Sequence, residues 1–273
     1  MSQFVYTPEN LRRLQLVERD MLRELDRICR ENQISYILDG GTLLGAVRHG
    51  GFIPWDDDVD VRMLRENYEK FCRICRTELS EEYFLQTWKT DPGYRWGYAR
   101  ILKKGTVYRR KGQHRMTAKN GIFIDIFPDD NLPETWGAGR FCTGLSWLCR
   151  KLLYSEVGAL NKNSFGSWLG FNILNLFPKE WGHKGMEYLS RKYQDADTPR
   201  VRCFAWGSEE ETKGFLKKWH LETQDITFEG LTVRAPRDIA GFLTCYFGSD
   251  YMTLPPEEKR TPGHTVTYLD FGE

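Results

Sequence analysis

The sequence predicts a mixed α/β fold (α+β), with a mixed sheet flanked by helices and a helical insert in the second half. Three patterns predict it. Leu11, Leu14, Val17, Met21, Leu25 and Ile28 recur at steps of three and four, one stripe of an amphipathic helix. The β-like run from Ile34 to Leu38 passes through Gly40-Gly41-Thr42 into a short helix, and Asp58-Val59-Asp60 follows as an extended segment. From Trp136 to Trp181 the composition turns apolar, with Arg and Lys interspersed.

Thr7-Pro8 opens the first helix with a cap residue and a proline at the first helical position. That helix is expected to pack on the sheet without a catalytic duty. A helix from Glu66 to Thr77 carries Cys72 and Cys75 on one face, read as structural thiols because no second pair has zinc-ligand spacing. Tyr83 to Gln86 reads as a strand. Gly97 to Leu102 and Thr106 to Arg110 read as two strands of a hairpin around Lys103-Lys104-Gly105, and Arg109 to Asn120 as a polar, basic loop. Ile122 to Phe127 is an apolar strand with Asp125 inside it. The insert fits helices at about 138–158, 165–177 and 182–194. Thr227 to Val233 predicts a strand pair, Pro236 opens a helix through Phe247, and Gly248 ends it. The expected organisation is one domain over 1–273, with a core at 1–135, the helical insert at 136–200 and a β/α return segment at 201–273.

Charge is balanced, with 39 basic and 38 acidic residues and a formal net of +1. No global field is available to collect nucleic acid, which disfavours a polymerase-like partner. Seven cysteines, an odd number, and a polar start without an apolar leader point to a reducing cytoplasm. No uninterrupted apolar run reaches the ~20 residues needed to span a bilayer.

The chemistry gathers around residues 39–60. Glycines at Gly40 and Gly41 allow close backbone approach, and the first N–H groups of the helix through Thr42 suit a phosphate. In an extended segment, period two puts Asp58 and Asp60 on one face. Two charges about 4 Å apart repel by roughly 4 kcal/mol at an effective dielectric of 20, so a cation or protons must sit between them in a folded site. A few hard oxygen ligands completed by phosphates suit Mg²⁺. The competing reading is a solvated acidic turn. A carboxylate in the buried strand also requires pairing or a metal, which makes Asp125 the candidate third acid. Arg48 either clamps a phosphate or serves as a counter-charge. Arg100 and Lys103, beside Trp96, Tyr98 and Tyr108, either hold a nucleotide or form a charged edge. The proline-stiffened run from Leu254 either carries Lys259, Arg260 and His264 over the site or is an ordinary extension.

Gly41–Val61 (GTLLGAVRHGGFIPWDDDVDV) resembles the signature of the LicD family, whose relatives include fukutin and the fukutin-related protein. Gly121–Pro128, Phe228–Val233 and Asp250–Arg260 resemble it too. The resemblance implies the nucleotidyltransferase fold of the DNA polymerase beta type. It further implies transfer of phosphocholine from CDP-choline to a cell-surface glycan hydroxyl, of the teichoic acid, lipoteichoic acid or lipopolysaccharide type, with release of CMP. Asp58, Asp60 and Asp125 would hold one or two Mg²⁺ (or Mn²⁺) ions, and one of them would accept the acceptor's proton. Polyol-phosphate transfer from CDP-ribitol or CDP-glycerol, nucleotidyl transfer to a small substrate, and nucleotide or glycan binding without turnover are the alternatives. The insert is either core or a segment that touches the inner membrane surface and receives a lipid-linked acceptor.

Overall fold

The first helix forms where the stripe predicts it. In the computed structural model, which describes residues 4–113, 116–160, 164–208 and 212–272, α1 spans Pro8–Glu31, and the Thr7 hydroxyl accepts the Asn10 N–H at 3.1 Å. Leu14, Met21, Leu22, Leu25 and Ile28 are fully buried and hold α1 against the sheet.

The chain then runs β1 (Ile37–Leu38), α2 (Gly40–His49), β2 (Asp60–Leu64), α3 (Arg65–Glu78), β3 (Tyr83–Gln86), β4 (Ala99–Lys103), β5 (Val107–Arg110) and β6 (Phe123–Asn131). The central sheet has the order β1-β2-β6-β4-β3. β2 and β6 pair in parallel, while β1, β4 and β3 join antiparallel. A parallel pair requires a long crossover, and α3 with β3 to β5 fills it. The register sets Asp60 directly beside Asp125. The fold class is therefore the mixed α/β arrangement expected.

Helices α4 (Trp136–Gly158), α5 (Phe165–Asn175) and α6 (Glu180–Lys192) follow β6, before β7 (Arg200–Arg202) and β8 (Phe215–Leu216) extend its far end. The return segment contains α7 (Lys218–Leu221), the antiparallel pair β9 (Thr223–Phe228) and β10 (Leu231–Pro236), α8 (Ile239–Phe247), a 3-10 turn (Glu257–Lys259) and β11 (Val266–Asp270).

Two expectations are corrected. The strand ending at Arg110 does not pair with β4: β5 pairs with β11, from the other end of the chain. A hairpin requires the strands flanking its turn to face each other, and here β4 lies between β3 and β6. Pro236 does not open a helix; it ends β10, and α8 starts after Asp238, whose carboxylate accepts the Gly241 N–H at 2.9 Å. His114 and Arg115, in the expected basic loop, lie outside the described residues.

Beneath the glycine turn lies a buried charge network. Arg62 bridges Asp39 and Asp129 at 2.7 Å each, and His220 meets the other Asp129 oxygen at 2.8 Å. These bonds tie the start of α2, strands β2 and β6, and α7 into one rigid base.

Candidate active site

The acids converge where β2 begins. The Asp60 backbone N–H donates to the Thr42 hydroxyl at 2.9 Å, fixing the strand to α2. Asp125 N–H donates to the Val59 carbonyl at 3.0 Å. One ligand oxygen each of Asp56, Asp57 and Asp58 lies within 4.8 Å of the others. Burial, then repulsion by Asp58 and Asp125, pushes the Asp60 carboxyl well above the usual range, and one of its buried oxygens has no hydrogen-bond partner among the described residues. Asp56 is raised by burial and then by Asp58 and Asp57. Burial also raises Asp58, against the pull of His264 and Arg110.

Asp57 differs. Its oxygens accept the Tyr6 and Tyr108 hydroxyls at 3.1 Å each and the backbone N–H groups of Gly263 at 2.9 Å and His264 at 3.3 Å, and His264 Nδ1 lies 3.3 Å away. Burial alone would raise it; the bonds from His264, Tyr108 and Tyr6 outweigh that and hold it below the usual range. Asp57 is an anchor. With Asp57 so engaged, Asp56 and Asp58 are the members of the converging group left to take a divalent ion, and Asp60, electrostatically coupled to both and with one oxygen unpartnered among the described residues, is the neighbouring candidate.

Cations stand near two of the acids, Arg48 by Asp56 and Arg110 by Asp58. Arg48 donates to the Tyr251 carbonyl at 3.2 Å, and it feels both the repulsion of Arg260 and the attraction of Asp56. Arg260 lies 5.7 Å over the Trp55 ring. Two guanidiniums near each other and an acid cluster form a ready anion site. Arg110 attracts Asp58 and stacks over Phe123 at 5.1 Å and Trp96 at 5.8 Å. Trp96 also borders a cavity of about 680 Å³ between the core and α4, walled by Trp147, Lys151, Tyr154 and Trp206.

The lipopolysaccharide cholinephosphotransferase LicD of Haemophilus influenzae is 31% identical to this chain over 270 residues, covering 93% of this chain and 96% of its own. The chain belongs to the LicD family. The family model LicD/FKTN/FKRP, nucleotidyltransferase domain, matches residues 33–141. The human ribitol 5-phosphate transferase FKRP is 43% identical over 49 residues, 18% of this chain and 10% of its own.

The LicD-matched region contains the acids and Arg100, yet not every residue singled out from the sequence meets at the site. Arg100 is buried and clamps Asp125, with Nε 2.5 Å and Nη2 3.1 Å from its two oxygens. The charge of Asp125 is thus balanced by an arginine, which answers why a carboxylate survives in that strand. Asp125 sits beside Asp60, but Arg100 points at it and not at an open surface. Lys103 is corrected: it pairs with Glu82 and lies over Tyr83 at the far end of β4, away from the acids. Lys259 is exposed on the 3-10 turn. His264 reaches the acids, 3.6 Å from Asp58. Gly40 has φ of +43° and faces Tyr246, while a Cβ at Gly41 would come within 2.9 Å of an Asp56 oxygen.

Sequence reasoning missed three residues, Asp56, Arg110 and Glu18, and the role of a fourth, Tyr108, as a donor to Asp57. Asp56 continues the same period-two alternation as Asp58 and Asp60 and was legible. Arg110 and Tyr108 reach the site only through the β5–β11 pairing. Glu18, on a helix expected to be only structural, is fully buried beneath the cluster; burial and then Asp58 and Asp57 raise it well above the usual range. Cys72, pushed up to about 12 by burial, is the inert thiol expected.

Proposed function

We propose that the protein transfers phosphocholine from CDP-choline to a hydroxyl of a cell-surface glycan of the lipopolysaccharide or teichoic-acid type and releases CMP. The observation that carries this is the end-to-end similarity to the H. influenzae cholinephosphotransferase. Asp58 and Asp60, with Asp56, would hold Mg²⁺ or Mn²⁺, and Asp125 is the neighbouring carboxylate set by Arg100. The metal supplies charge neutralisation on the diphosphate when bound.

This chain's own residues account for the rest. The α2 start at Gly40–Thr42, with Arg48 and Arg260, holds phosphate oxygens of the donor. Arg110, coupled to Asp58, holds the transferring phosphate. The acceptor oxygen bonds to the choline-bearing phosphorus, the bridging P–O bond breaks, and CMP leaves with the bond electrons. A carboxylate of the cluster takes the acceptor's proton, since crowding among the acids raises their proton affinity. The aromatic and basic cavity beside Trp96 supports an acceptor site: the sheet order sets it on the β4 side of the acids, across from the glycine turn after β1. Seven cysteines, none of them in a disulfide among the described residues, support a reducing, cytoplasmic compartment.

The test is CMP release from CDP-choline with and without Mg²⁺, in wild type and in Asp58→Ala/Asp60→Ala, over a panel of glycan acceptors. Metal-dependent CMP formation lost in the double variant is expected. CMP formed only from CDP-ribitol or CDP-glycerol would move the reading to polyol-phosphate transfer, which the match to the ribitol 5-phosphate transferase favours. Nucleotide found on the product would replace it with nucleotidyl transfer.

A further inference from the structure

Apolar helices usually bury their apolar faces. The insert does the reverse. Among the described residues, twelve of the nineteen exposed large apolar side chains lie between Trp136 and Tyr188. In α5, Phe165, Leu169, Ile173 and Leu176 follow steps of four, four and three. They form one stripe along the helix and just past its end, 75, 43, 50 and 83% exposed. The opposite side packs on α4, where the Phe171 ring fills the space over Gly158 and meets Tyr154 at 5.8 Å. No residue of α5 is charged or fully buried. On α4, Trp136, Arg140, Phe141, Trp147, Leu148 and Tyr154 are exposed.

Charge runs the same way. Residues 136–179 hold Arg140, Arg150, Lys151, Lys162 and Lys179 against Glu156 alone, a net of +4 in a chain of net +1. The remainder therefore carries −3. Glu156 is itself paired, 2.7 Å from Arg95. A second copy docking through the same face in a symmetric pair would set two +4 segments against each other. An exposed apolar stripe with aromatics and an excess of basic residues instead complements anionic headgroups over acyl chains. Among the described residues no helix is long and apolar enough to cross a membrane, so a contact with a bilayer made by these helices would run along its surface.

We propose that the α4–α5 face seats the protein on an anionic bilayer, with α5 in the headgroup plane. Trp147, Lys151 and Tyr154 belong to both α4 and the cavity beside Trp96. If the transfer reaction proposed above holds, the acceptor is therefore a lipid-borne glycan that enters from the membrane side.

The test is co-sedimentation of the full chain with vesicles of pure phosphatidylcholine and with vesicles containing phosphatidylglycerol. Wild type should bind the anionic vesicles at least about tenfold more tightly, and less so at high salt. Phe165→Ser/Leu169→Ser/Ile173→Ser, and separately Leu176→Glu, should each lose about tenfold or more of that binding, with CMP release from a lipid-free acceptor unchanged. A thermal unfolding profile matching wild type shows that the variants fold; because Leu176 is the most exposed of the four, Leu176→Glu decides if the triple variant does not. Absent or equal binding to both vesicle types overturns the proposal. So does retained binding in Leu176→Glu, or a dimer that these substitutions dissociate without any change in vesicle binding. Vesicle binding requires no donor, so a failed CMP assay leaves this outcome intact.

Discussion

Replacing Asp57 and Asp60 by asparagine should move stability in opposite directions. Asparagine is nearly isosteric but carries no charge and turns one acceptor into a donor. At Asp57, the amide nitrogen can face Tyr6 and Tyr108, whose hydroxyls can rotate to accept. The carbonyl then keeps the Gly263 N–H, while the His264 N–H, which shares the oxygen facing the tyrosines, loses its acceptor, and the charge against the His264 ring is lost as well. Two charge-assisted bonds at about 1.5 kcal/mol each come to about 3 kcal/mol. For a chain of this length that lowers Tm by about 6–12 °C. At Asp60, burial and the repulsion of Asp58 and Asp125 act against the charge. Asp60→Asn should raise the metal-free Tm by about 2–4 °C, equivalent to about 1 kcal/mol, while CMP release disappears. Differential scanning calorimetry in chelator, with and without added Mg²⁺, reads both. Added Mg²⁺ should stabilise wild type and Asp57→Asn, and leave Asp60→Asn unmoved. A destabilised Asp60→Asn, or an unchanged Asp57→Asn, would refute the division into anchor and metal-holding acids.

Other outcomes follow from the same geometry. His183, buried against Trp88, has its pKa lowered to about 4 by burial. The unfolded imidazole protonates near 6.5 and the folded one only near 4, so stability should fall as pH drops through that window. The full loss is about 3 kcal/mol, and urea titrations of His183→Phe should show a flatter pH profile. A Cβ at Gly45 would stand 2.4 Å from the Gly51 carbonyl oxygen, so Gly45→Ala should cost about 1–3 kcal/mol by forced backbone movement, read as a shifted denaturant midpoint. Arg62→Met removes the arginine from buried Asp39 and leaves Asp129 with His220 alone, and should cost about 3–5 kcal/mol, with much reduced soluble yield. Arg110→Ala should lower kcat/KM by about 10–100-fold, the loss of one or two charge-assisted phosphate bonds, while Tm changes little.

What the sequence made legible was local. The α1 stripe, the cap at Thr7 and the strand–turn–helix around Gly40 depend on residues within a few positions of each other, and each formed within about three residues of its expected place. The adjacency of Asp60 and Asp125 could only be suggested, through the resemblance; it depends on a parallel pairing across a crossover. The β5–β11 pairing was not legible, because it joins segments more than 150 residues apart. With it went Tyr108, Arg110 and the anchoring role of Asp57. Asp125 illustrates an ambiguity of another kind. A carboxylate in an apolar strand announces a partner but not which one; the structure supplies Arg100, a residue the sequence had set against a nucleotide. The insert shows the limit of hydrophobic periodicity: Phe165, Leu169, Ile173 and Leu176 have the spacing of a core face and lie in the open. Periodicity reports which residues share a face, and it is silent on what covers that face.

Asp57 gathers Tyr6, ahead of the first helix, and Gly263-His264, just before the last strand. During synthesis the aspartates, the glycine turn and most of the sheet are made long before residue 264 leaves the ribosome. Until then Asp57 has neither the histidine nor the backbone donors that lower its charge cost, and β5 has no partner strand. The hold on Asp57 is thus completed only after residue 264 is made, though the acids themselves come early. A chain cut before residue 263 carries the whole acidic motif and lacks the donors that hold Asp57.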